Sequence, residues 1–261
     1  MLKISNRAIW GVFVILVLSL SVANVSQAGV TEVDLSTAVG IWLFDEGSGD
    51  GTKDMSGEEN HGELVKSPKW VTGKFGKALE FNGKDNFVKT GQKLLDSRVE
   101  FSVLCWVNPG KLTGERIGLV GQNDSPEFGF SNPNQVILWT PCSAVDAAYD
   151  FPADEWHHIA VVSTGVSLTM YFDGQQKAQT EKDCSKDTHG SSNFGVNIGG
   201  GGIWDATGHW FTGIMDEVAI FHSTLSNADV NKIMKTRFKA MTTTADPRNR
   251  LSSTWAQIRK E

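Results

Sequence analysis

The sequence carries none of the short signatures that announce common chemistry: no Gly-x-Ser-x-Gly elbow, no His-Glu-x-x-His pair, no cysteine–histidine couple and no phosphate loop. Its glycine run "NIGGGG" lacks the following helix that would make a phosphate cradle. Cysteine is scarce. Cys105, Cys142 and Cys184 are too few and too widely spaced for a metal knuckle, and an odd count leaves one thiol unpaired or bridging to another chain. Basic residues form no cluster and the formal net charge is −6, so nucleic acid and anionic membrane surfaces would repel the chain. Internal repeats of fixed period are also missing.

What is present begins with an export signal. Lys3 and Arg7 give residues 1–28 a positive start, Ile9 to Val22 form the apolar stretch, and Ser26-Gln27-Ala28 offers small residues for cleavage. The sequence therefore predicts a secreted or periplasmic protein with no membrane contact beyond that signal. An uncleaved anchor is the alternative, although the apolar stretch falls short of the ~20 residues a spanning helix needs. An exported chain can hold disulfides. Cys105, in the strand-like "FSVLCWV", reads as a buried thiol, whereas Cys142 and Cys184 lie in polar, loop-like surroundings and are the expected pair.

From Val39 onward, short apolar runs of period two are cut by Gly, Asn, Asp and Pro, the pattern of strands and turns. Expected strands are "VGIWLF", "ALEFNG", "NFVKT", "FSVLCWV", "RIGLVG", "QVILW", "WHHIAVVST", "SLTMYFDG", "GVNIGG" and "HWFTGIMDEVAIF". Gly165 and Gly174 mark tight reversals, so "WHHIAVVSTGVSLTMYFDGQQKAQT" reads as three consecutive antiparallel strands. So many strands imply two packed sheets, and nine Trp suit the space between them. One amphipathic helix stands out: Ser226 and Asp229 make a capping box ahead of "VNKIMKTRF", with Val230, Ile233 and Met234 on one face. The expected organisation is a signal (1–28), an all-β antiparallel sandwich with a short C-terminal helix (29–240), and a polar tail (241–261) broken by "ADPRNR", in which "TWAQIRK" could dock back.

The stretches "VGIWLFDEGSGDGTKDMSGEENHGELV", "GKFGKALEFNGKDNFV", "FSVLCWVNP", "EWHHIAVV", "LTMYFDGQ" and "FTGIMDEVAIFHSTLSNADV" occur in an order that resembles laminin G-like domains of the concanavalin A-like lectin/glucanase superfamily. The resemblance runs from about Val39 to Lys235. It implies a jelly roll of two antiparallel sheets, an architecture that hosts lectins, pentraxins, adhesion modules and some glycosidases.

Asp216 and Glu217 sit side by side in the last of these stretches, where regular strand alternation sends neighbours to opposite faces. Related glucanases carry an E-x-D-x-x-E pattern; here Ile214, Val218 and Ala219 surround Asp216 and none is acidic. Hydrolysis, which needs two carboxyl groups across the bond to be cut, is therefore disfavoured. The resemblance implies instead that an acid at this position closes the sandwich, either through backbone N–H groups and a Lys or through a structural Ca²⁺. For calcium the candidate ligands are Asp216, Asp54 and Asp45, with Glu46 and Asp50 in the same Gly-rich loops.

A likeness to pentraxins points to a second acidic region. "GQNDSPEF" holds Gln122, Asn123 and Asp124, and "GGGGIWDATGHWF" holds Asp205, but Gly200, Gly201 and Gly202 stand where further ligands would be needed, and Ala160 replaces the second pentraxin cysteine. Loops of Gly, Trp and Asp nevertheless suit sugars, whose C–H faces stack on aromatic rings while hydroxyls bond to Asp and Asn. Trp204, Asp205 and His209, followed by Trp210, are the leading contact candidates, with Asn123 and Asp124. Trp204 could equally fold inward; Trp139 could be core or contact; Trp42, Trp106 and Trp156 are expected in the core. His157 and His158 read as satisfied histidines, one facing in and one out. The whole reads as an exported module that binds rather than catalyses, glycan being the expected partner. A protein-interaction or structural module is the alternative, and a glycoside hydrolase the third.

Overall fold

The computed structural model describes residues 32–186 and 188–244. The expected export signal and the tail beyond Thr244, including "TWAQIRK", lie outside them. Among the described residues β1 (Ala38–Trp42) is followed by β2 (Gly51–Thr52), β3 (Gly62–Val65), β4 (Lys69–Thr72), β5 (Lys77–Asn82) and β6 (Phe87–Lys89). Then come β7 (Glu100–Pro109), β8 (Ile117–Gly121), β9 (Glu127–Asn132), β10 (Gln135–Trp139) and β11 (Ala144–Ala148). The last strands are β12 (His157–Thr164), β13 (Ser167–Phe172), β14 (Gln175–Glu181), β15 (Asn197–Ile198) and β16 (Thr212–Phe221), and the helices α1 (Asn227–Lys235) and α2 (Phe238–Thr244) end the order.

Two antiparallel sheets of eight strands result. One runs β14-β13-β12-β7-β16-β5-β4 with β1 also paired to β16; the other runs β11-β10-β9-β8-β15-β6-β3-β2. All ten expected strands are present, and β12, β13 and β14 pair consecutively as the turns predicted. Alternation explains the core: Phe128 and Phe130 of β9, Val136 and Leu138 of β10, and Val103, Cys105 and Val107 of β7 meet between the sheets. Burying one such Val, Leu or Phe is worth about 1.5–3 kcal/mol, which is why the in-facing register of each strand is strongly specified. Trp42 is in this core, but Trp106 lies outside it, against Phe75 and His158, and Trp156 precedes β12, half-buried, rather than lying in a strand. The neighbouring histidines alternate as expected, His157 against Tyr149 and Phe151 on the inter-sheet side and His158 against Trp106 on the other, and both are buried.

The outer face of the first sheet carries a second apolar layer. Leu104, Ala160, Val162, Ala219 and Phe221 pack under Val230, Ile233, Phe238 and Met241 of the two helices. Ser226 caps α1 with the reciprocal Asp229 box, as its sequence required. Helix α2 was not anticipated: it crosses the expected domain–tail boundary at residue 240, because Phe238 and Met241 are buried on that layer. No helix of the described residues is long and apolar enough to cross a membrane.

Strand β16 departs from regular alternation where its two acids stand. Between Asp216 and Ala219 the strand advances three residues while β7 advances two, from Trp106 to Leu104, and Glu217 takes φ 48°. This is a β-bulge. Met215 and Val218 both face the inter-sheet core, so Asp216 and Glu217 share the outer side instead of pointing apart. Each carboxylate is buried and bonded to backbone. Asp216 accepts from the N–H of Phe75 (2.9 Å) and of Glu217 (2.8 Å); Glu217 accepts from Phe238 N–H (3.0 Å), with Arg237 3.7 Å away. Arg237 also pairs with Asp45 at 2.8 Å, and Asp45 accepts from Lys77 N–H. The β1–β2 connection, the β4–β5 turn, β16 and the start of α2 are thereby tied in one knot.

Burial raises the pKa of both acids, and their mutual repulsion adds to the rise at Asp216 against the pull of the Phe75 N–H. An acid whose pKa is raised on folding contributes stability that is full below its unfolded value and is lost as pH climbs through the folded value. We expect the melting temperature to fall between pH 5 and pH 8, and Asp216→Asn, which has no proton to lose, to flatten that fall; thermal melts across this range check it. Cys142 and Cys184 are bonded across 42 residues and Cys105 is a buried free thiol. Closing a loop of that length is worth about 4 kcal/mol by chain entropy, so Cys184→Ser should lower stability by roughly that amount in denaturant titrations, and an unchanged midpoint would contradict it.

Candidate ligand-binding face

The outer face of the second sheet is built around missing side chains. Reading across the strands in register, one row is Ala144, Trp139, Glu127, Gly121, Asn197, Lys89 and Glu63. The next row brings Ile137, Gly129 and Gly118 together. A Cβ at Gly118 would stand 2.8 Å from Ile203 Cδ1, and one at Gly121 2.9 Å from Ile203 Cγ2. Only glycine admits that approach, and the segment 199–210 lies down on this track. Asn197 Nδ2 holds it by bonding to the Gly201 carbonyl, and Asn123 N–H bonds to the Gly202 carbonyl at 3.2 Å.

The docked segment decides the fate of its aromatic residue. Trp204 is 5% exposed, with the Arg116 guanidinium over its ring at 5.6 Å. It is a cover for the sheet, not the open stacking platform the sequence left possible. Arg116 also donates to the Trp204 carbonyl (2.8 Å) and pairs with Asp205 (3.3 Å), which holds His209 Nε2 at 2.8 Å. Asp205 and His209 thus remain accessible, fixed as an Arg–Asp–His rim.

Trp139 is the exposed ring. It is 37% exposed and stands in register beside Glu127. Glu127 is 3% exposed; its Oε1 accepts from Asp124 N–H at 2.8 Å, and exposed Asp124 takes a bond from Asn123 Nδ2 at 3.0 Å. Burial pushes the Glu127 carboxyl up to about 8, opposed by the Asp124 N–H and by Arg116 and reinforced by the charges of Asp124 and Asp205. Glu127 is therefore a neutral acid at pH 7, able to donate as well as accept. Of the six candidates, Asp124, Asp205, Trp139 and His209 reach the surface around this carboxyl, while Asn123 and Trp204 are buried beneath. Glu127 and Arg116 were missed by the sequence reading. The signal for Glu127 was available in "SPEFGF", where in-facing Phe128 and Phe130 place it on the outer face; nothing local marked Arg116.

The rim on the Trp139 side is braced from behind. Buried His189 bonds through Nδ1 to Thr140 Oγ1 (3.0 Å) and through Nε2 to Ser163 Oγ (2.8 Å), and the Cys142–Cys184 disulfide anchors the turn after Trp139. Burial lowers the His189 pKa to about 4, so the ring is neutral and its two bonds persist at ordinary pH.

The expected calcium ligands do not form a set. Asp54 gives its carboxylate to the N–H groups of Ile41, Ser56 and Asn60 and to the Ser56 hydroxyl. Asp45 is held by Arg237 and Lys239, and Asp216 by backbone. No group of three or more His, Cys, Asp or Glu among the described residues is arranged to hold a metal ion. Calcium needs several converging oxygens, and the cation beside Asp45 and Glu217 is already Arg237.

Among solved structures, domain 4 of the extracellular arabinanase AbnA from Geobacillus stearothermophilus, in complex with arabinotriose, is similar at TM-score 0.54 and 19% identity, over 76% of this chain and 98% of that one. The binding domain of Paraclostridial Mosquitocidal Protein 1 gives 0.59 at 14% identity, over 77% of this chain and 52% of that one. The botulinum neurotoxin serotype C1 binding domain gives 0.53 at 13%, over 77% and 52%. The chain thus spans nearly the whole arabinanase domain and about half of each toxin domain, and at these identities the likeness is one of fold. No curated protein matches the sequence. Residues 82–231, more than half of the chain, match the laminin G model described as the concanavalin A-like lectin/glucanases superfamily, and to that family the chain belongs.

Proposed function

We propose that the protein is an exported carbohydrate-binding module that holds a glycan against Trp139 and Glu127 and serves recognition at a cell surface or matrix. The observation that carries this reading is the exposed Trp139 ring beside a buried, neutral carboxyl, rimmed by Asp124, Asp205 and His209. A flat ring accepts the C–H face of a pyranose or furanose, and the polar rim satisfies its hydroxyls. The complex of the similar arabinanase domain with arabinotriose supports the same ligand class.

The polar groups also favour binding over cleavage. A glycosidase needs a second carboxyl free to act across the scissile bond. Here Asp205 is committed to Arg116 and His209, and Asp124 takes the Asn123 amide. The acids of β16, buried at 0% and 3%, are locked to backbone away from solvent.

A glycan array probed with the protein should show retention, and Trp139→Ala should weaken it by about tenfold or more, equivalent to about 1.4 kcal/mol. Loss of retention on every glycan would leave the protein-interaction reading in its place. Affinity should fall as pH rises through about 8, where Glu127 loses the proton it donates; Glu127→Gln should bind with no such fall. A wild-type affinity flat from pH 6 to 9 removes Glu127 from the site.

A further inference from the structure

On the other side of the docked segment, the same row of the sheet continues into a cleft of about 230 Å³ lined by Phe87, Lys89, Gly91, Phe194, Gly195, Asn197 and Gly201. We propose that this cleft is a second binding site, selective for a single sugar ring bearing a carboxylate, such as a uronic acid unit. The choice of a sugar rests on the function proposed above; the position of the site and its preference for negative charge do not.

Its size admits one ring, being below the roughly 300–1,000 Å³ of sites for drug-sized ligands. Two half-buried phenylalanine rings, Phe87 and Phe194, provide apolar walls, and Trp210 lies against Phe87 at 5.6 Å between centroids to hold it in place. Lys89 supplies the charge. It is exposed, has no ion pair among the described residues, and its cross-strand neighbours are Asn197 on one side and Glu63 on the other. A carboxylate over Lys89 is attracted by the unpaired ammonium, while Glu63 at the outer edge repels an anion that overshoots the cleft.

The remaining polar groups fit the rest of such a ring. Asn197 spends its Nδ2 on the Gly201 carbonyl and its Oδ1 on no protein donor among the described residues, leaving an acceptor for a hydroxyl. Gly91 and Gly195 lie outside the strands, and neither gives its backbone N–H to a protein acceptor among the described residues. Two backbone donors therefore remain for water or ligand at the mouth. Nothing in this cleft overlaps Trp139 or Glu127, so the two sites are separable by mutation.

Titrating methyl glucuronide into the full-length protein, followed by NMR of the phenylalanine rings, tests the proposal. The expected result is saturable shifts at Phe87 and Phe194, with methyl glucoside at least about tenfold weaker and acetate without effect at those rings. Lys89→Gln should reduce the glucuronide to the glucoside's level with the melting temperature unchanged, and Trp139→Ala should leave the glucuronide curve as in wild type. No shift at Phe87 and Phe194, equal binding to Lys89→Gln, or acetate binding as well as the uronide each overturns the second site. Failure of Trp139→Ala to affect array retention would instead count against the first site alone.

Discussion

The close approach of segment 199–210 to Gly118 and Gly121 is the constraint on which the binding face depends. A side chain at either position would lift the segment off the sheet, and with it Ile203 and Trp204, whose burial turns the segment into a ridge. The ridge divides the face. On one side it presses Arg116, Asp205 and His209 into a rim beside Glu127, and on the other it forms the wall of the cleft at Asn197 and Lys89. Burial beneath that rim also raises the Glu127 pKa, so a packing feature sets the protonation state of the carboxyl in the proposed site.

The opposite sheet solves a different problem. Its outer face is covered by α1 and α2, and the cover is fastened through Asp45, Asp216, Glu217 and Arg237. A bulge rather than a regular strand makes this possible, since it brings two successive acids to one side, where each meets a different partner. An arginine and backbone donors hold this closure together. The closed sheet is thereby left as support, and the glycine-tracked sheet carries the proposed binding face.

Much of the fold was legible because alternation and turn glycines are local. β12 to β14 and the Ser226 cap follow from neighbours in sequence. The strands that escaped notice, β2, β3, β4, β9 and β11, are short, polar, or rich in Gly and Ala, so no apolar run announced them. The site was half legible. Asp205, Asp124 and Trp139 could be singled out by residue type, yet nothing in "TGERIG" indicates that Arg116 would reach across to Trp204 and Asp205, 88 and 89 residues away.

By itself the sequence determined that this chain forms two packed antiparallel sheets, that Cys142 and Cys184 are the cysteines in loop surroundings, and that no standard catalytic signature is present. Period-two patterning and turn chemistry act over a few residues and survive in one dimension. Tertiary structure alone decided that Trp204 is covered while Trp139 is open, that Asp216 and Glu217 share a side, and that Glu127 holds its proton. Those outcomes depend on which distant segment lies over each residue and on one inserted bulge position, and neither is encoded in local periodicity.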